Sequence, residues 1–472
     1  MKRFIAIAVA LICAVTSYAD VYDIRDFGAV GDGKTISSDA INAAIEKASL
    51  NGGGMIYIPA GEFLCYSIRL KSNIHLYLEQ GAKLIAARPQ ADRGYDAPEP
   101  PINKQYQGFG HNHIHNSLIY GEGLSGVTIS GYGMIDGSAL DSWIEGLPHH
   151  GNKGIGMRNC INVTIKDLTF YQCGHFVLHM SAVDNLLLSG LRIDSDRDGI
   201  DIICCRNVTI SDCLVNTPQD DSIVLKSNYV LGEFRDVENV MITNCHISGY
   251  KCGTMLDGTR QKFTDVQDEY RSGGRIKLGT ESSGGYKNIT VTNCTFDYCG
   301  GIMLQSMDGG HLEDVTFSNI TMRNGLSSPF FIRLGARMRS PEGTPLGKIR
   351  RVLISNVNVY NAVSWTSSTI SGVPGGYVED VTFNNVHIWY QGGADPSYAT
   401  LTPPEFERDY PEPWMFGPNP AKGFMVRHAR NVSFNGVHFH YLNPDERPLF
   451  VENDTENIVY INITDNNRPY DK

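Results

Sequence analysis

One short pattern recurs down this chain and restricts its fold more than any other feature: Asn or Asp, an apolar residue, any residue, an apolar residue. It reads Asn162-Val-Thr-Ile, Asn185-Leu-Leu-Leu, Asn207-Val-Thr-Ile, Asn239-Val-Met-Ile and Asn288-Ile-Thr-Val, and continues at Asp314, Arg351, Asp380, Asn431 and Asn457. Between Asn162 and Asn207 the steps are 23 and 22 residues. Period-two alternation rich in β-branched residues predicts short strands. A repeat in the low twenties that holds several strands predicts a solenoid, in which each turn buries its core against the next. Leucine-rich repeats share the period but carry a leucine framework and a helix per repeat, and that framework is missing. Asn suits the corner before each strand, because it tolerates left-handed backbone angles and its side chain hydrogen-bonds the turn. The expected fold is therefore all-β: a single-domain right-handed parallel β-helix over residues 20–472, with residues 20–120 forming a cap and the first coils.

A solenoid needs its open end covered. Residues 39–50, an amphipathic run with Asp39 near its start, predict the N-terminal capping helix. The stretches 86–117, 258–274 and 391–421 read as long loops, which in a solenoid gather on one face around a site.

Lys2, Arg3, the short apolar run Phe4 to Val15 and the small-x-small Ser17-Tyr18-Ala19 read as a signal peptide over residues 1–19. The mature chain then starts at Asp20, and the protein is expected in the periplasm or outside the cell. Cys13 resembles a lipoprotein cysteine only weakly, because Ile12 before it is bulky. No later apolar run is long enough to span a membrane. Cys213, Cys245 and Cys294 each directly follow an alternating strand, which predicts one slot filled by stacked thiols. A disulfide between Cys294 and Cys299, or from Cys204 to a neighbour, is the alternative. The net charge of -11 argues against nucleic acid as a partner and requires any anion site to be a local basic cluster.

The candidate chemistry lies in Asp196-Arg-Asp198-Gly-Ile-Asp201 and Gln219-Asp220-Asp221. Asp198 and Asp220 are 22 residues apart, nearly one repeat, which places them on adjacent coils about 4.8 Å apart. Crowded carboxylates push one pKa up, giving a protonated acid beside an ionised base. Glycoside hydrolysis uses that pair. Stacked carboxylates also suit calcium, and Asp also populates turns.

At these residues the sequence resembles glycoside hydrolase family 28, the polygalacturonase and rhamnogalacturonan hydrolase family. The resemblance starts at Asp26-Phe-Gly-Ala-Val-Gly-Asp-Gly and runs past Asn319. It implies Asp220 as general acid, with Asp198 and Asp221 holding and activating water between carboxyl groups set well apart, and inversion at the anomeric carbon. Two family motifs depart here. The Gly-His-Gly segment has no histidine, and its two registers put Cys252 or Gly274 in that place. The Arg-Ile-Lys segment expected near Gly301-Ile-Met-Leu-Gln305 stands one coil earlier, as Arg275-Ile276-Lys277. These departures resemble the rhamnogalacturonan-directed or exo-galacturonidase branch.

Arg275 and Lys277, on one face of a strand, are expected to grip a substrate carboxylate, with pairing to acids such as Glu281 as the alternative. Asp201, His179, Lys226 and Tyr286 complete the expected substrate-binding set: His179 lines the cleft or is a satisfied structural histidine, Lys226 touches substrate or offsets the aspartates, and Tyr286 stacks on a sugar or is a packed aromatic. His111, His113 and His115 alternate like a metal comb but lack acidic neighbours in sequence, which favours a polar loop. The expected function is inverting, exo-acting hydrolysis of α-galacturonosyl linkages in pectin by a monomer, without cofactor or metal. Two readings compete with it: a calcium-dependent lyase, and a carbohydrate-binding β-helix without turnover.

Overall fold

The computed structural model describes residues 20–103, 105–106, 110–142, 147–264 and 273–470. The expected signal segment 1–19 lies outside them. The chain winds into three parallel rows of short strands. One row holds Lys153–Arg158, Phe176–Ser181, Asp198–Ile203, Ile223–Ser227, Ile276–Ser282, Ile302–Ser306 and Phe330–Leu334, each parallel to the next. A second contains Ile161–Lys166, Asp184–Ser189, Arg206–Ser211, Val237–Thr243 and Tyr286–Thr292. The third contains Thr169–Tyr171, Arg192–Asp194, Leu214–Asn216, His246–Ser248 and Thr295–Asp297. Right-handed crossovers between parallel strands give the right-handed parallel β-helix the repeat implies.

The register turns the sequence pattern into a core. Ile165, Leu188, Ile210, Ile242 and Val291 align coil over coil and are fully buried. The marker residues form a ladder outside that core. Asn185, Asn207, Asn239 and Asn288 all have φ between 54° and 57°. Each donates its side-chain amide to the marker one coil earlier, at 2.9 to 3.1 Å. Left-handed backbone is cheap for Asn and costly for most residues, so the ladder explains the marker's identity. At the one basic marker, Arg351 keeps φ at 56° and donates its Nε to Asp314 at 2.6 Å.

Cys213, Cys245 and Cys294 occupy the expected common slot. Their thiols donate to Ser211 O, Thr243 O and Thr292 O, two residues back in each case. All ten cysteines of the described residues are free, so Cys294 and Cys299 form no disulfide.

Helix Ser38–Leu50 buries Ile41, Ala44, Ile45 and Ala48 over the strands Gly54–Ile58 and Ile68–Arg69. Spacing of three and four residues puts these on one face, and the helix covers the first coil. No helix among the described residues is long and apolar enough to cross a membrane.

Candidate active site

The candidate residues converge on the first strand row. Asp198 opens the strand Asp198–Ile203, and Asp220 and Asp221 lie in the turn that leads into Ile223–Ser227. The step between these coils is 23 residues, one more than the offset of Asp198 and Asp220: Ile200 pairs with Ile223, and Asp201 with Val224. The turn at 217–222 holds the extra residue. Gly199 N accordingly bonds Asp221 O at 2.9 Å, which sets Asp198 level with Asp221, and Asp220 stands one residue ahead. One carboxylate oxygen from each of Asp198, Asp220 and Asp221 lies within 4.8 Å of the others. That approach is closer than the wide gap expected from the family resemblance. The side chain of Asp220 is 18% exposed, against 5% for Asp198 and 2% for Asp221. Asp220 is therefore the carboxylate that meets solvent.

The chain supplies the balancing charge. Lys226 Nζ lies 2.9 Å from Asp198 Oδ2 and also bonds Asp201 Oδ1. Arg197 Nη2 holds Asp220 Oδ2 at 2.7 Å. Arg275 bonds Asp221 through Nε, Glu412 through Nη1 at 2.8 Å, and Asp220 through Nη2 at 3.4 Å. Lys277 Nζ lies 3.2 Å from Asp221 Oδ2 and donates to the Tyr410 hydroxyl at 3.3 Å. Burial pushes the Asp201 carboxyl well above the usual carboxylate range, and the Lys226 ammonium offsets this only in part. Burial pulls the Lys226 ammonium down, but the charges of Asp198 and Asp201 outweigh it, and the net direction is up. Glu412 is raised by burial against the pull of Arg275 and Lys277.

Several sequence expectations are corrected here. Arg275 and Lys277 share a face as expected, but their donors point to Asp221, Asp220, Glu412 and Tyr410. Glu281 instead faces Arg337, at 4.0 Å. Lys226 is buried against the aspartates rather than open to ligand. His179 is level with Asp201 but fully buried, packed by Phe176 and His111, so it is not open to a ligand as a cleft-lining residue would be. Burial and the charge of Lys153 hold its imidazole neutral. Tyr286 points into the core, its hydroxyl bonded to Glu281 O, because its position belongs to the inward-facing row with Val237 and Leu312. It offers no face for a sugar. The three alternating histidines form no comb. His111 meets Lys226 at 3.3 Å, while His113 bonds Glu99 O at 2.7 Å and His115 bonds Glu122 at 2.9 Å.

The family histidine has no substitute at either expected position. Gly274, φ 70°, follows Asp221 on the next coil and donates its N–H to Asp220 O at 2.8 Å. A Cβ there would fall 2.5 Å from Cys299 Cβ, so no side chain fits. Cys252 packs away, its thiol on Asp194 O. The histidine linked to Asp220, through Arg197, comes from two coils earlier. His175 Nε2 accepts from Arg197 Nη2 at 3.2 Å, and its Nδ1–H donates to Ser142 O at 2.7 Å. Burial and the Arg197 charge lower its pKa to about 3.

Arg197, His175, Tyr410 and Glu412 were not singled out from sequence. Arg197 was in view between Asp196 and Asp198. Glu412 and Tyr410 lie some 190 residues beyond Asp220, in a loop whose only signal was its length.

Comparisons with known proteins bear on the fold and the family. The family profile of glycosyl hydrolases family 28 matches residues 102–269, and that of the rhamnogalacturonase A/epimerase, pectate lyase-like family matches residues 21–82. A probable polygalacturonase of Vitis vinifera is 27% identical over 410 residues, covering 77% of this chain and 80% of that protein. A family 28 exopolygalacturonase structure from Yersinia enterocolitica superposes with a TM-score of 0.69 at 19% identity, over 94% of this chain and 78% of that one. A hyperthermoactive exopolygalacturonase from Thermotoga maritima gives 0.64 at 20% identity, over 89% and 92%. At these identities the structural likeness shows the shared fold.

Proposed function

The chain belongs to glycosyl hydrolases family 28, and on that premise we propose that it is an exported, inverting, exo-acting hydrolase of α-galacturonosyl linkages in pectin. Asp220 is the general acid: its proton passes to the glycosidic oxygen as the bond to the anomeric carbon breaks. Asp198 and Asp221 hold a water molecule and take its proton as its oxygen bonds that carbon. The observation that carries this assignment is the difference in exposure within one carboxylate cluster. Asp220 reaches the solvent, whereas Asp198 and Asp221 stand level behind it.

Most inverting enzymes separate their carboxyl groups by about 6.5–9.5 Å. In the tighter cluster here, water is held on the Asp198–Asp221 side and not in a wide gap. Arg197 and Arg275 fix the Asp220 carboxyl from two directions. Loops from both long insertions meet the cations of the cluster, His111 from one and Tyr410 with Glu412 from the other, and loops standing at this place support exo action.

The test is digestion of pectic oligosaccharides, with the product followed by anomeric NMR and ultraviolet absorbance. Hydrolysis with inversion gives a saturated product of opposite anomeric configuration, and chelator leaves the rate unchanged. Retention overturns the inverting mechanism. An unsaturated uronate product that requires calcium favours the lyase reading. Against a calcium site, Asp198, Asp220 and Asp221 each already face a cation of the protein.

A further inference from the structure

We propose that Glu412 is a carboxylate the chain supplies to its own sugar site, so that the sugar seated against Tyr410 is uncharged. This rests on the hydrolase reading above and narrows its substrate to a chain in which galacturonate is joined to a neutral sugar.

A uronate is read by an open cation, ideally an arginine offering two parallel N–H donors. Arg275 has no such pair to offer. Its three side-chain nitrogens face Asp221, Glu412 and Asp220. Lys277 Nζ is similarly enclosed by Asp221, Tyr410 and, at 4.0 Å, Glu412. Both cations are covered: the residues are 5% and 1% exposed. A substrate carboxylate arriving here meets ammonium and guanidinium groups already matched by two acids, with Asp220 beside them. Bringing in another negative charge costs desolvation, and the buried cations that would offset it are already paired with acids.

What this corner presents to solvent is aromatic. Tyr410 is 45% exposed, and its ring lies near Lys277 Nζ and Arg337 Cζ, 5.3 and 6.0 Å from the centroid. A half-open ring fixed by buried cations suits the C–H face of an uncharged sugar. The loop that carries it is anchored. Arg333 donates to Ser371 Oγ and to Glu405 O, both at 2.7 Å. Arg427 donates to Pro403 O at 2.8 Å, and Gln305 to Pro411 O at 2.7 Å. Gln305 stands where the family's cation was expected. It secures the backbone next to Glu412, so the carboxylate is held in place and does not swing aside.

The experiment compares kcat/KM of the full-length protein on oligogalacturonides and on oligosaccharides that alternate galacturonate with rhamnose. The wild type should favour the alternating substrate by about tenfold or more, the scale at which a desolvated polar mismatch discriminates. Glu412→Gln should shrink that ratio about tenfold by raising the rate on oligogalacturonide, because Arg275 Nη1 then has no acid partner. Tyr410→Ala should raise KM on the alternating substrate, and Tyr410→Phe should largely retain the wild-type value. The proposal is overturned if the wild type cuts oligogalacturonide as well as the alternating substrate, or if folded Glu412→Gln leaves the ratio unchanged. Should Glu412→Gln not fold, the wild-type ratio and the Tyr410 pair decide. Hydrolysis confined to oligogalacturonide overturns this inference and leaves the hydrolase reading intact. Hydrolysis of neither substrate overturns both.

Discussion

Lys226 Nζ sits 2.9 Å from Asp198 Oδ2, in a wall where the same ammonium also bonds Asp201. Lys226 is 5% exposed, Asp198 3% and Asp201 fully buried. One buried cation thus serves two buried acids, and the arrangement holds only while all three remain. Lys226→Met should destabilise the fold by about 3–5 kcal/mol, the usual cost of leaving buried charge without its partner. Adding Asp201→Asn should recover part of that loss by removing one of the orphaned acids. Thermal melting of the single and double variants checks this. A double variant no more stable than Lys226→Met would mean that Asp201 is already neutral and does not depend on the lysine.

Asp220→Asn should lower kcat by about 10²–10⁴, the usual contribution of a positioned general acid. The amide keeps the shape of the carboxyl and its one oxygen can still accept from Arg197, while only the longer 3.4 Å contact to Arg275 is given up, so the melting temperature should change little. Retention of more than a third of the wild-type rate in a folded variant would take the acid role from Asp220.

His175 predicts a pH dependence of stability. Its pKa is lowered from 6.5 to about 3 in the folded protein, by burial first and by Arg197 second. Between those values the unfolded chain binds a proton that the folded chain refuses. Stability is therefore fully present above pH 6.5 and falls as pH drops toward 3, by at most about 1.4 kcal/mol per pH unit from this residue. His179 contributes with the same sign. In His175→Gln the decline in melting temperature between pH 7 and pH 4.5 should be shallower than in the wild type. Parallel declines would show that His175 is not a source of the acid lability.

Asn207 tests the ladder. It holds φ at 56°, donates to Asn185 and accepts from Asn239, both at 3.1 Å. Asn207→Ala loses both bonds and strains the backbone, for about 2 kcal/mol. Asn207→Gly also loses the bonds but accepts the left-handed angle, and should be less damaging than Ala by about 1 kcal/mol. Equal melting temperatures for the two variants would mean that the backbone angle is not what selects Asn.

The sequence by itself determined the coil, because the marker at each corner and the alternation after it are local properties repeated many times. Strand polarity and the stacked thiols follow from that period, the capping helix from its own amphipathic run, and Asp198, Asp220 and Asp221 were legible because they sit at nearly fixed places within the repeat. Only the tertiary structure decided what surrounds those acids. The one-residue shift that sets Asp198 level with Asp221 comes from a turn whose length has no periodic signature. Tyr286 became core because it stacks between Val237 and Leu312, and His179 is buried because Phe176 and His111 pack over it. Glu412 and Tyr410 reach Arg275 and Lys277 across more than 130 residues of sequence separation. A contact between a loop and a distant coil leaves no periodic trace, and it exists only once the solenoid has brought the two together.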